Sequence, residues 1–329
     1  MNYIKPGVVL ALTMCLVLGM SCSTTKIKKG VSDAQEVTIQ VDLQMGLYAY
    51  EAGEYETAYQ VLFPIAKDGE ATAQYALGLM YTKGQGVRQD YSEAVNWFRK
   101  AAEQGLAEAQ NILGIMYANG EGVPQDYAEA VKWYREAAEQ GLAVAQCNLG
   151  ILSDRTEAVK WYRKAAEQGL PEAQTRLAEC YFEGWGVPHD YVEAVKWCYK
   201  AADQGYAKAQ SSLGWMYELG TGVPQDFAEA RSWYQKAAER GFVPAQCALG
   251  DMYLSGKGGP GDKVLAYMWF NIAGKLIDSK YYRERDLNYY RRMALKNCEL
   301  CAEEMTLDQI AEARKMSEEW LVKFREQAK

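Results

Sequence analysis

Ala-Gln pairs end at Gln74, Gln110, Gln146, Gln174, Gln210 and Gln246, and tryptophans stand at Trp97, Trp133, Trp161, Trp197, Trp233 and Trp269. Both series advance by 36 residues, and each drops once to 28, between Gln146 and Gln174 and between Trp133 and Trp161. Two markers with one period and one shared deletion define a tandem repeat. A chain built this way does not close around one large core. Each copy is a small unit that buries its apolar face on its neighbours.

Within a copy, two helical patterns follow each other. Tyr75 to Tyr81 places Leu77, Met80 and Tyr81 on one side of a helix. Gly78, Gly114, Gly150, Gly214 and Gly250 recur in its middle, where glycine costs about 1 kcal/mol relative to alanine. A cost repeated in this way predicts a neighbouring helix too close for a side chain. The pairs Gly84/Gly86, Gly120/Gly122, Gly184/Gly186 and Gly220/Gly222 suit a helix end that turns back through positive φ. The second helix opens at Asp90, Asp126, Asp190 or Asp226, with Glu93, Glu129, Glu193 or Glu229 three places on, a capping box in Asp form. Ala94, Trp97, Phe98, Ala101 and Ala102 then make one apolar stripe, and Gly105 and its equivalents end the helix. Antiparallel helix pairs stacked in register predict an all-α chain, an α-solenoid.

Written out, the copy is A-x-A-Q-x-x-L-G-x-x-Y-x-x-G-x-G-V-x-x-D-x-x-E-A-x-x-W-Y-x-K-A-A-E-Q-G, which closely resembles the Sel-1-like repeat, a relative of the tetratricopeptide repeat. Six copies span residues 71–278, the third shortened to Ala143–Leu170. Residues 43–70 resemble a tetratricopeptide-type hairpin, and residues 279–329 read as capping helices, the last opened by Thr306-Leu307-Asp308-Gln309 and carrying Ile310, Ala313, Met316, Trp320 and Leu321. The short third copy lacks the Gly-x-Gly loop and is expected to kink or weaken the array locally.

The first 22 residues read differently. Lys5 precedes an apolar run from Val8 to Met20, roughly 20 Å long as a helix, short for a bilayer span but suited to a signal peptide. The ending Leu18-Gly19-Met20-Ser21-Cys22 resembles the lipobox of bacterial lipoproteins, although Leu18 lies one place early. That resemblance implies lipidation at Cys22 and a membrane-anchored protein of the cell envelope, with Ser23 pointing to the outer membrane. The alternative is a simply cleaved signal or an uncleaved anchor with Cys22 as a bystander. Residues 23–42, with Lys26, Lys28 and Lys29, read as a flexible tether.

Composition removes whole classes of function. The net charge is −7, against the basic face that nucleic acid requires. The single histidine, His189, stands where Gln89, Gln125 and Gln225 stand in other copies, a repeat variant and not a metal or catalytic centre. Ser23-x-x-Lys26 matches the S-x-x-K of penicillin-binding proteins by chance, because no partner motif follows. No metal or cofactor is expected. Among the cysteines, Cys147 and Cys247 are ordinary variation, and Cys298-x-x-Cys301 lacks a second pair for zinc. Cys180 and Cys198 occupy core-facing slots of one copy, and are read either as a disulfide clamping its two helices or as two small hydrophobes.

Partner choice falls to the variable positions of the first helices. Trp215 shares its slot with Leu79, Ile115, Ile151, Glu179 and Asp251, giving part of that row an acidic and aromatic character. Trp185 fills the x of Gly-x-Gly, where it is either a contact residue or folded over its own loop. The resemblance implies a non-enzymatic scaffold that binds a protein or peptide on the concave solenoid face. Two alternatives are a β-lactam-binding or hydrolysing envelope enzyme, as suggested for cysteine-rich relatives, and a purely structural spacer.

Overall fold

The computed structural model describes residues 33–276 and 284–327, so Cys22 and the rest of the leader lie outside the described residues. Sixteen helices and no strand occur among them. α1 (Asp33–Glu51) and α2 (Tyr55–Lys67) form the leading hairpin. The repeats follow as α3 (Ala71–Lys83) with α4 (Tyr91–Glu103), α5 (Ala107–Asn119) with α6 (Tyr127–Glu139), and α7 (Ala143–Leu152) with α8 (Arg155–Glu167). Then come α9 (Pro171–Glu183) with α10 (Tyr191–Asp203), α11 (Ala207–Leu219) with α12 (Phe227–Glu239), and α13 (Val243–Ser255) with α14 (Lys263–Lys275). The chain ends in α15 (Glu284–Glu303) and α16 (Leu307–Gln327). It divides into two compact units between Asp154 and Arg155, inside the shortened third repeat.

The expected tether is corrected in part. Residues 33–42 belong to α1, because Ile39, Leu43, Leu47 and Tyr50 recur on one side and pack into the core of the first unit. At the other end, Thr306 Oγ1 accepts from Gln309 N–H at 3.2 Å while Gln309 Oε1 accepts from Thr306 N–H at 2.9 Å, a reciprocal capping box. The boxes expected at the second helices form by half. Asp90 Oδ1 accepts from Ser92 and Glu93 N–H at 2.9 and 3.1 Å. Its own N–H is taken by Tyr81 O at 2.9 Å, which closes the loop. Asp126, Asp190, Asp226 and Asp262 likewise donate to Tyr117, Tyr181, Tyr217 and Tyr253.

The mid-helix glycines Gly78, Gly114, Gly214 and Gly250 do face a neighbour, and that neighbour is an aromatic ring of the same repeat. A Cβ at Gly214 would lie 2.7 Å from Tyr234 Cδ1, and one at Gly78 would lie 2.6 Å from the Phe98 ring. Repeat 4 has Ala178 in this slot and the small Cys198 in place of the ring, a swap that preserves volume. The second glycine of each loop serves a different purpose. A Cβ at Gly86 or Gly222 would overlap the backbone carbonyl of Tyr55 or Tyr191, the first residue of the preceding repeat's second helix.

The Ala-Gln glutamines tie successive pairs together. Gln74, Gln110, Gln174, Gln210 and Gln246 each donate from Nε2 to a backbone carbonyl of the preceding second helix, at 3.0–3.2 Å. Gln104, Gln140 and Gln204 donate back to the Oε1 atoms of Gln74, Gln110 and Gln174 at 2.7–2.9 Å. Where that later residue is Arg240 or Leu276, the Oε1 of Gln210 or Gln246 has no partner. Tryptophans of the second helices carry lysines over their rings: Lys100 on Trp97 at 4.1 Å, Lys164 on Trp161 at 4.3 Å, Lys200 on Trp197 at 3.9 Å and Lys236 on Trp233 at 3.7 Å.

Candidate interaction surface

In the second unit, α9, α11 and α13 run side by side and carry Glu179, Trp215 and Asp251 at equivalent positions. Contacts between neighbouring first helices fix this row. Lys208 Nζ of α11 lies 2.5 Å from Glu179 Oε1 of α9, and Lys257 lies 3.3 Å from Glu218 Oε1. The Trp215 ring packs on Phe182 with centroids 5.0 Å apart, and Phe182 in turn meets Tyr191 at 5.1 Å. Trp215 nevertheless keeps 42% of its surface open, and Leu219 and Leu254 are exposed on the same helices.

Asp251 stands at the end of the row, where Asn297 Nδ2 of α15 donates to its Oδ1 at 3.4 Å. Burial, and then the neighbouring Glu218 carboxylate, push its pKa above the usual range, against the pull of Lys257. Tyr234 donates its hydroxyl to Glu218 Oε2 at 3.1 Å. In the first unit the same row is apolar: Leu79 is buried, Ile115 half-buried and Ile151 exposed.

Trp185 sits in the Gly-x-Gly loop of repeat 4. Its ring stays 41% exposed, but the Arg155 guanidinium at the start of α8 lies over it, 5.4 Å from the centroid. The contact arises because Gly186 seats the loop against the Arg155 carbonyl.

The Sel1 repeat matches residues 71–106, 107–142, 143–170, 171–206, 207–242 and 243–278. The chain belongs to the Sel1 repeat family. A Sel1 repeat protein from Oxalobacter formigenes is 34% identical with a TM-score of 0.67, covering 74% of this chain and 98% of its own. A protective antigen of uropathogenic Escherichia coli with an SLR fold, c5321, is 25% identical with a TM-score of 0.47, covering 90% of this chain and 86% of its own. The immunity protein Pa5087 of Pseudomonas aeruginosa is 24% identical with a TM-score of 0.41, covering 69% of this chain and 82% of its own. Among curated proteins none matches. Sel1 repeat proteins generally mediate protein–protein interaction, and the family is typically a non-catalytic scaffold.

The remaining residues of this Sel1 repeat protein fit structural roles. His189 Nδ1 donates to Phe182 O at 2.8 Å, as Gln89 and Gln225 donate to Thr82 O and Glu218 O. The histidine therefore closes a loop as its glutamine counterparts do. Cys180 and Cys198 stand as unbonded, buried thiols. Both are buried among apolar neighbours, which pushes Cys180 up to about 11 and Cys198 up to about 12. At neutral pH they stay protonated and pack as small hydrophobes. Cys298 and Cys301 are likewise free and buried, under α14 and α16. No group of three potential metal ligands occurs among the described residues, and no described helix is long and apolar enough to cross a membrane.

Proposed function

We propose that this Sel1 repeat protein is a non-enzymatic adaptor that holds a protein or peptide on the surface formed by the first helices of repeats 4 to 6, with Trp215 as the central contact. One observation carries the reading. A large aromatic side chain, seated on Phe182 and so fixed in direction, keeps 42% of its surface open. A rigid, half-open tryptophan is the kind of residue that dominates interface energies. We place this adaptor in the cell envelope, tethered by lipid at Cys22, on the strength of the lipobox-like sequence before that residue.

Photo-crosslinking in cells tests the surface. A benzophenone amino acid at position 215 is expected to trap a specific adduct, whereas the same group at Val192, exposed on α10, is not. Equal trapping at both positions would overturn the proposed face. Metabolic lipid labelling of the full chain beside Cys22→Ala tests the anchor. Label in the first and none in the second is expected, and label in neither removes the anchor from the reading.

A further inference from the structure

The molecule meets its tryptophans with cations again and again. Lysines cover Trp97, Trp161, Trp197 and Trp233, and an arginine covers Trp185. Trp215 is the exposed ring for which no such cation is found among the described residues, although it stands in the most acidic part of the row. Lys208 and Lys257 are already engaged by Glu179 and Glu218. Asp251 feels the same Lys257 that pairs with Glu218, so these two carboxylates share one cation. The surface around Trp215 thus combines an open π-face with a pair of carboxylates, Glu218 and Asp251, that share a single lysine, and attracts positive charge on both counts.

We propose that the Trp215 surface takes an arginine- or lysine-bearing peptide segment of a partner protein, its cationic head stacked on the open face of Trp215 beside the carboxylates of Glu218 and Asp251. This rests on the adaptor reading above and names the chemistry of its partner. Phe182 holds the indole from behind, so the face is preorganised. Glu218 and Asp251, adjacent carboxylates that repel each other, gain a neutralising neighbour when the cation arrives.

The test uses the full chain with 15N-labelled indoles and synthetic heptapeptides on a Gly-Ser background. Their central residue is Arg, Lys, citrulline, norleucine or Glu. The Trp215 Nε1–H resonance is assigned by its loss in Trp215→Phe. Arg and Lys peptides are expected to shift this resonance with affinities about tenfold above citrulline and norleucine, and to weaken about two- to fivefold on Asp251→Asn. Binding should also weaken as salt is raised. If neutral or acidic peptides shift Trp215 as strongly, the cationic class is overturned while the binding face stands. If no peptide shifts Trp215, this proposal fails, while the binding face is decided separately by the crosslink at position 215.

Discussion

Gly214→Ala probes how a helix pair in this chain is held together. The added Cβ would lie 2.7 Å from Tyr234 Cδ1 and 2.8 Å from Cε1, so the ring must retreat by roughly half an ångström or more to reach ordinary contact. The ring has little room, because Tyr234 is 3% exposed and its hydroxyl is held by Glu218 Oε2. Overpacking of this kind costs about 1–3 kcal/mol, while the better helix propensity of alanine returns about 1 kcal/mol. The single variant should therefore lose about 0–2 kcal/mol. In a Tyr234→Cys background the ring is gone and only the propensity gain remains, so the same glycine change should become neutral or stabilising. Repeat 4 already carries that combination as Ala178 and Cys198. Urea denaturation of the four proteins of the cycle gives the coupling. Because repeat arrays are not strictly two-state, hydrogen exchange of α11 amides should accompany it. An equal loss in both backgrounds would refute the steric account and point to the helix backbone instead.

Three further outcomes follow from the packing. Gln110→Ala removes bonds to Ala102 O, Glu136 and Gln140, whereas Gln246 holds Ala238 O and leaves its Oε1 unpartnered. Gln110→Ala should cost about 1–3 kcal/mol and Gln246→Ala less, by denaturation midpoint. Cys198 and Cys298, both pushed up to about 12 by burial, should react slowly with an aromatic disulfide reagent at about pH 8 and quickly once the chain is unfolded. Fast reaction of the native chain would contradict their burial. Burial also raises Tyr50 to about 12, and Tyr75, Tyr134 and Tyr234 still further. An unfolded tyrosine titrates near 10, so above about pH 10 the folded state binds more protons than the unfolded one. Stability is therefore full below that pH and falls as pH rises toward the folded values. Tyrosinate absorbance and loss of helical signal should appear together in an alkaline titration, and buried tyrosines ionising with helicity intact would refute the account.

The local features were legible because they are written within a few residues. Asp90 at a helix start, Gly84 after a helix end and the stripe from Ala94 to Ala102 each depend on neighbours within two turns, and the period multiplies the signal six times. The part of α1 before Leu43 was missed because it has no repeated copy to compare it with. The reasons behind several marked residues were also hidden. Ala-Gln served as a marker, yet Gln74 earns its place by reaching Ala66 O and meeting Gln104. Gly86 and Gly214 both read as turn or contact glycines, but one lies against a backbone carbonyl and the other against a ring. Only tertiary structure decided which tryptophans stay open. Arg155 covers Trp185 from the start of α8, and Phe182 backs Trp215 from one repeat earlier. Helix formation, capping and turn chemistry are settled by bonds between residues three to five apart, which the sequence states directly. Exposure is settled by contacts between segments about thirty residues apart, where the sequence names the participants but not which of them meet.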